Sequence, residues 1–149
     1  MHPHSGLIFA FLMLFAAGAM AETSTEALLT QSYEMTEAGR FEEALEILRT
    51  AAREEPKSSL IYTRIGGVEV LRQEYSAGIQ AFQRAIMLDQ RNAKAFIGMA
   101  VAYLHLGQYS LARAALEEAG RIDPAKQPEI DNVLSWIEQR IDDLDTMAH

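Results

Sequence analysis

His105, the adjacent acids Glu42-Glu43, Glu54-Glu55 and Glu117-Glu118, and the pair Gly66-Gly67 are the residues with which chemistry could begin in this chain. A histidine titrates near neutral pH and serves as a general base or a metal ligand. Two carboxylates that share a site can divide the roles of acid and base. A glycine pair can cradle a phosphate where a loop opens a helix. Spacing argues against each reading. Helix neighbours one residue apart point to different sides, so none of the acidic pairs shares a site. Gly66-Gly67 falls inside an apolar helical stripe. No H-E-x-x-H, P-loop, G-x-S-x-G or paired Cys–His arrangement occurs. Met35, Met87 and Met99 are scattered, where metal handling would need them together. Arg113, Glu117 and Arg121, four apart, are expected to form a surface ladder. The expectation is a non-enzyme with no cofactor and no metal.

Composition narrows the class. The length of 149 residues leaves room for one domain. The 49% hydrophobic content, rich in Ala and Leu, favours a helical globular chain. There are 21 acidic against 13 basic residues, a net charge of −8, and none of them lies in the first 21 positions. So acidic a surface repels phosphate backbones, which argues against nucleic acid as a partner. The absence of cysteine excludes disulfides, thiolate metal sites and cysteine nucleophiles.

The front of the chain has its own character. Leu7–Phe15 is unbroken apolar sequence, small residues follow, and Ala19-Met20-Ala21 places small side chains where a signal peptidase reads. Residues 1–21 are therefore expected to be a cleaved secretory signal, with residues 22–149 as an exported, periplasmic domain that inserts into no membrane. The opening Met1–Gly6 carries no Lys or Arg, and His2 and His4 would leave with the peptide. The alternative is a retained inner-membrane anchor through residues 7–21. That stretch holds 15 residues, short of the roughly 20 a spanning helix needs.

The elements that would position any site are set by a 34-residue period. Residues 25–58, 59–92 and 93–126 align without gaps. Phe41, Tyr75 and Tyr109 share a column, as do Ala44, Gly78 and Ala112, then Leu48, Phe82 and Leu116, then Ala51, Ala85 and Ala119. A fixed period of this length marks stacked units that cannot bury their apolar faces alone. Within each unit, apolar residues at spacings of three and four predict two helices. Gly39 and Gly107 sit where the first helix ends and a left-handed residue is wanted, and Pro56 and Pro124 stop the second. Gln73 and Gln90 depart from those columns. A further helix over 128–145, with Ile130, Val133, Leu134, Ile137, Ile141 and Leu144 on one face and acids on the other, is expected to cap the stack. Trp136, off the centre of that stripe, is expected to be an edge residue.

These columns resemble the tetratricopeptide repeat, a helix–turn–helix unit. The resemblance covers residue 25 to about 126, and it implies an all-α, right-handed α-solenoid of three helix pairs plus the capping helix. It also implies that the first helix of each pair lines a concave groove that binds a protein or peptide partner. The residues it nominates are Leu29, Tyr33, Thr63, Gly67, Val70, Lys94, Ile97, Val101, Leu104 and His105. Several of these are apolar, and an apolar patch on a binding face marks a partner site. Co-chaperones of this family grip a C-terminal carboxylate with Lys, Asn and Arg. At the matching places this chain has Leu29, Tyr33, Gly67, Lys94 and Gly98, so no carboxylate clamp is expected. The expected function is a non-enzymatic adaptor that binds a peptide segment of a cell-envelope protein and supports assembly of a larger complex. The alternative is a structural scaffold subunit of a membrane-associated complex, anchored or self-associating.

Overall fold

The computed structural model describes residues 24–148. The expected signal segment 1–21 and the terminal His149 lie outside the described residues. The described residues form helices and turns with no strand, as the period predicts. They divide into two compact units between Pro56 and Lys57.

The first unit holds helix α1 (24–37) and helix α2 (Phe41–Glu54). Ala44, Leu45, Leu48 and Ala51 form the buried stripe of α2. Thr25 donates from its hydroxyl to Glu54 at 3.1 Å, tying the start of α1 to the end of α2.

The second unit runs α3 (Ser59–Leu71), α4 (Tyr75–Leu88), α5 (Ala93–His105), α6 (Tyr109–Ile122), a 3-10 turn (Pro124–Lys126) and α7 (Gln127–Met147). Each helix packs on the next, and α3 also touches α5. The chain reverses after each first helix through the same turn. Arg40 N–H reaches back five residues to the Met35 carbonyl at 2.8 Å, Glu74 to Glu69 at 2.8 Å, and Gln108 to Tyr103 at 2.9 Å. The residue before each donor is left-handed, with φ of 72° at Gly39, 66° at Gln73 and 70° at Gly107. Two of these are glycine, and Gln73 holds the same angle with a side chain, at a cost of about 1–2 kcal/mol. Gln73→Gly is therefore expected to stabilise the protein by about 1 kcal/mol, read as a higher midpoint in urea denaturation. An unchanged midpoint would show that the turn carries no strain.

The core of the second unit is built around Phe82. This ring on α4 is 2% exposed and lies between two glycines. A methyl group on Gly66 of α3 would sit 2.6 Å from the ring, and one on Gly98 of α5 would sit 2.4 Å from it. Gly66 thus leaves room for the ring at this close approach of α3 and α4. Gly98 is a second close approach that the 34-residue columns do not signal. Gly78 lets α4 cross α3, where a methyl would meet the Val70 side chain at 3.0 Å and the Gly66 carbonyl at 3.2 Å.

A polar staple fixes the entry to α5. The Asn92 side-chain carbonyl accepts from Ala95 N–H at 3.0 Å as the helix N-cap. Its amide donates to the Ser59 hydroxyl at 2.7 Å and to the Thr63 hydroxyl at 2.8 Å, and Ser59 in turn donates to the Ala85 carbonyl at 2.8 Å. One side chain thus joins the starts of α3 and α5 to the end of α4. Asn92→Ala removes the cap and leaves part-buried hydroxyls short of a donor, so a loss of about 1–2 kcal/mol is expected in urea denaturation. Asn92→Asp keeps the cap acceptor and loses both donors, so it should recover only part of that loss. Full recovery would show that the cap alone matters.

Helix α7 spans Gln127–Met147, slightly longer than the predicted 128–145. Ile130 and Ile137 are buried, and Val133, Leu134 and Ile141 pack against the same cluster as Leu116 and Ala119 of α6. Asp131, Ser135, Glu138, Gln139, Asp142 and Asp143 are exposed. One apolar and one acidic face make it a covering helix. Trp136 is half exposed and meets Tyr109 edge-on at 6.0 Å, an edge position as its place in the stripe suggests.

One surface expectation is corrected. Arg121 pairs with Glu118, three residues away, where a ladder through Glu117 was expected. The Arg121 hydrogen bond holds the Glu118 carboxyl below its ordinary value. The pair is solvated, and such pairs contribute little to stability.

Candidate peptide-binding face

The first helices of the pairs carry the nominated residues, and their exposure follows the 34-residue columns. Leu60, Gly67 and Leu71 lie at spacings of seven and four on α3, which puts them on one helix face. Lys94, Val101 and His105 occupy the same columns on α5. These are the open positions: Leu60 is 49% exposed, Leu71 56% and Val101 38%. Lys94 and His105 are exposed as well. A methyl group on Gly67 would meet no atom within 4 Å, so this glycine leaves bare backbone in the middle of the stripe. Because α3 and α5 touch, their two stripes lie on neighbouring helices of one unit. In the first unit, Tyr33 stands in the same column as Gly67 and Val101 and is 61% exposed.

The remaining nominated residues sit deeper. Leu29, Thr63 and Ile97 share a half-buried column. The Thr63 hydroxyl is occupied, donating to the Ser59 carbonyl at 2.9 Å while accepting from Asn92. Val70 packs against the Phe82 cluster, and Ile97 and Leu104 pack against the cluster that holds Ile130 and Ile137. The open stripe on α3 and α5 is therefore Leu60, Gly67, Leu71, Lys94, Val101 and His105. Val70, Ile97 and Leu104 support it from beneath. His105 stacks on Tyr75 with ring centroids 4.6 Å apart and planes 6° from parallel. That stack fixes the end of the stripe on α5 against the start of α4.

This arrangement is suited to contact with a partner. Among the described residues, no group of three His, Cys, Asp or Glu could hold a metal ion. The open stripe offers aliphatic side chains, one ammonium, one imidazole and exposed backbone at a glycine. Those groups suit an extended or helical segment that brings apolar side chains of its own. Among the described residues, no helix is long and apolar enough to cross a membrane.

Comparison with known proteins agrees with this geometry. A family model described as tetratricopeptide repeat matches residues 69–137. A tetratricopeptide repeat-containing thioredoxin of Arabidopsis thaliana is 30% identical over 100 residues, 67% of this chain. The chain spans only 26% of the length of that curated relative. Among solved structures, the TPR2B domain of yeast Sti1 in complex with an Hsp70 peptide superposes with a TM-score of 0.74 at 18% identity. That likeness covers 79% of this chain and 98% of the other. The type III secretion chaperone SycD of Yersinia enterocolitica, in complex with a peptide of the translocator YopD, gives a TM-score of 0.72 at 16% identity. It covers 77% of this chain and 92% of the other. The repeat period, the paired helices with their recurring left-handed turn, and these matches together make the chain a tetratricopeptide repeat protein.

Proposed function

We propose that the protein is a non-enzymatic adaptor whose first helices hold a peptide segment of a cell-envelope protein and so support assembly of a larger complex. The observation that carries this reading is the open stripe on α3 and α5, where Leu60, Leu71 and Val101 stay exposed around the bare backbone of Gly67. In the same unit the second-helix residues Phe82, Ala85, Leu116 and Ala119 are buried, whereas Met87 of α4 and Leu111 of α6 are exposed outside those columns. Exposed aliphatic residues grouped on one face mark an interaction site. The peptide-bound Sti1 and SycD structures support a peptide ligand for this fold.

Export is part of the proposal. It rests on the apolar run Leu7–Phe15 and the Ala19-Met20-Ala21 end. Sequencing the N-terminus of the protein recovered from its host tests this part, with Glu22 as the expected first residue. Recovery of a chain that begins at Met1 in the membrane fraction would favour the anchored scaffold instead. The binding part is tested with immobilised protein and envelope extract. Leu71→Asp and Val101→Asp, at exposed positions, should keep the helical content and lose the captured partner. Capture unchanged in both folded variants would refute the stripe as the site.

A further inference from the structure

A cleft of about 330 Å³ opens at the start of α7. Ile97 of α5, Leu116 of α6, and Ile130 and Val133 of α7 line its floor, and Lys94, Lys126 and Glu129 stand at its rim. The chain has only three lysines, and two of them are here. Among the described residues neither makes an ion pair. A protein of net charge −8 thus sets two unpaired lysines beside a single glutamate around one apolar recess.

The far end of α7 has the complementary chemistry. Leu144 is 49% exposed and Met147 80% exposed, and three residues apart they share a helix face. Asp143, four residues before Met147, flanks them on the helix, and Asp145 lies between them in sequence; both are exposed and, among the described residues, without an ion pair. A copy cannot fill its own cleft with this end. Val133 and Leu144 lie on one continuous helix, about 16 Å apart along its axis at 1.5 Å per residue. We infer that the end of α7 from a second copy docks in the Lys94–Lys126 cleft, with Leu144 and Met147 on the apolar floor and the aspartates against the lysines. The two surfaces differ, so the contact is head-to-tail and its first product leaves one cleft and one tail free. It asks for no second kind of protein, although Lys94 and Ile97 belong to both surfaces.

The test is sedimentation velocity of the purified protein across a concentration series. The expected result is a mass that rises past the dimer, with association weakened by salt because the rim charges are exposed. Lys94→Glu with Lys126→Glu removes the cleft, and Leu144→Asp with Met147→Asp removes the tail. Each double variant alone should be monomeric, and circular dichroism should show both folded. Mixed in equal amounts, they keep one tail and one cleft between them, so they should form a discrete dimer that does not grow. A protein that stays monomeric at every concentration overturns the inference. So does association that survives in both double variants, or a mixture that stays monomeric while the wild type associates.

Discussion

Gly98→Ala is expected to destabilise the protein by about 1–3 kcal/mol through overpacking, even though alanine is the better helix former. Gly67→Ala, on the preceding first helix, is expected to stabilise it by up to about 1 kcal/mol. The sign is decided by what each new methyl meets. At position 98 it falls 2.4 Å from a Phe82 ring that is 2% exposed, and Gly66 presses on the same ring from α3. The ring has nowhere to move, so the clash outweighs the helix-propensity gain. At position 67 the methyl meets nothing within 4 Å, so only the propensity gain remains. The cost should be recoverable. Leu48 and Leu116 fill the Phe82 column in the other repeats. Phe82→Leu in the Gly98→Ala background should regain most of the loss, with a coupling energy of about 1 kcal/mol or more between the two sites. Urea denaturation of the four proteins measures it. Additive effects, or a Gly98→Ala protein as stable as the wild type, would mean that the ring is not confined as described.

The second large effect is on binding. Gly67→Trp should leave stability nearly unchanged, since the site is open, while it blocks a ligand backbone that approaches the stripe. Partner affinity should fall at least tenfold, equivalent to about 1.4 kcal/mol. Met87→Trp is the matched control, because Met87 is 71% exposed on α4, away from the first-helix stripe. It should bind as the wild type does. Equal loss in both variants would attribute the effect to a general surface change.

The fold was legible because each repeat obeys the same packing twice over. Apolar columns 34 residues apart predict the helix pairs, and the glycines at 39 and 107 predict the turns. What stayed hidden depends on contacts that a column does not encode. Gly98 lies in a different column from Gly66, yet both touch one ring, because Phe82 sits between its own pair and the next. Asn92 looks like an ordinary cap in sequence. Its amide partners lie 29 and 33 residues away and appear only once α3 and α5 meet. Gln73 reads as a missing glycine, yet the backbone keeps the left-handed turn despite the side chain.

The candidate site was legible by helix and less so by residue. First-helix residues were nominated together, but α3 and α5 each pack on the second helix of their own pair and on each other. Val70, Ile97 and Leu104 are consequently drawn toward the core, while Val101 and the bare backbone at Gly67 remain open. Thr63 was nominated for its position, and its hydroxyl is engaged in the Asn92 staple.

The most direct measurement places a photo-reactive benzoylphenylalanine at position 67, and in a second protein at position 87, in the producing cell. Irradiation should give a discrete cross-linked product with an envelope protein from position 67 and none from position 87. Cross-linking from position 87 alone, or no product from position 67 while the partner still co-purifies, would contradict a peptide-binding face on the first helices.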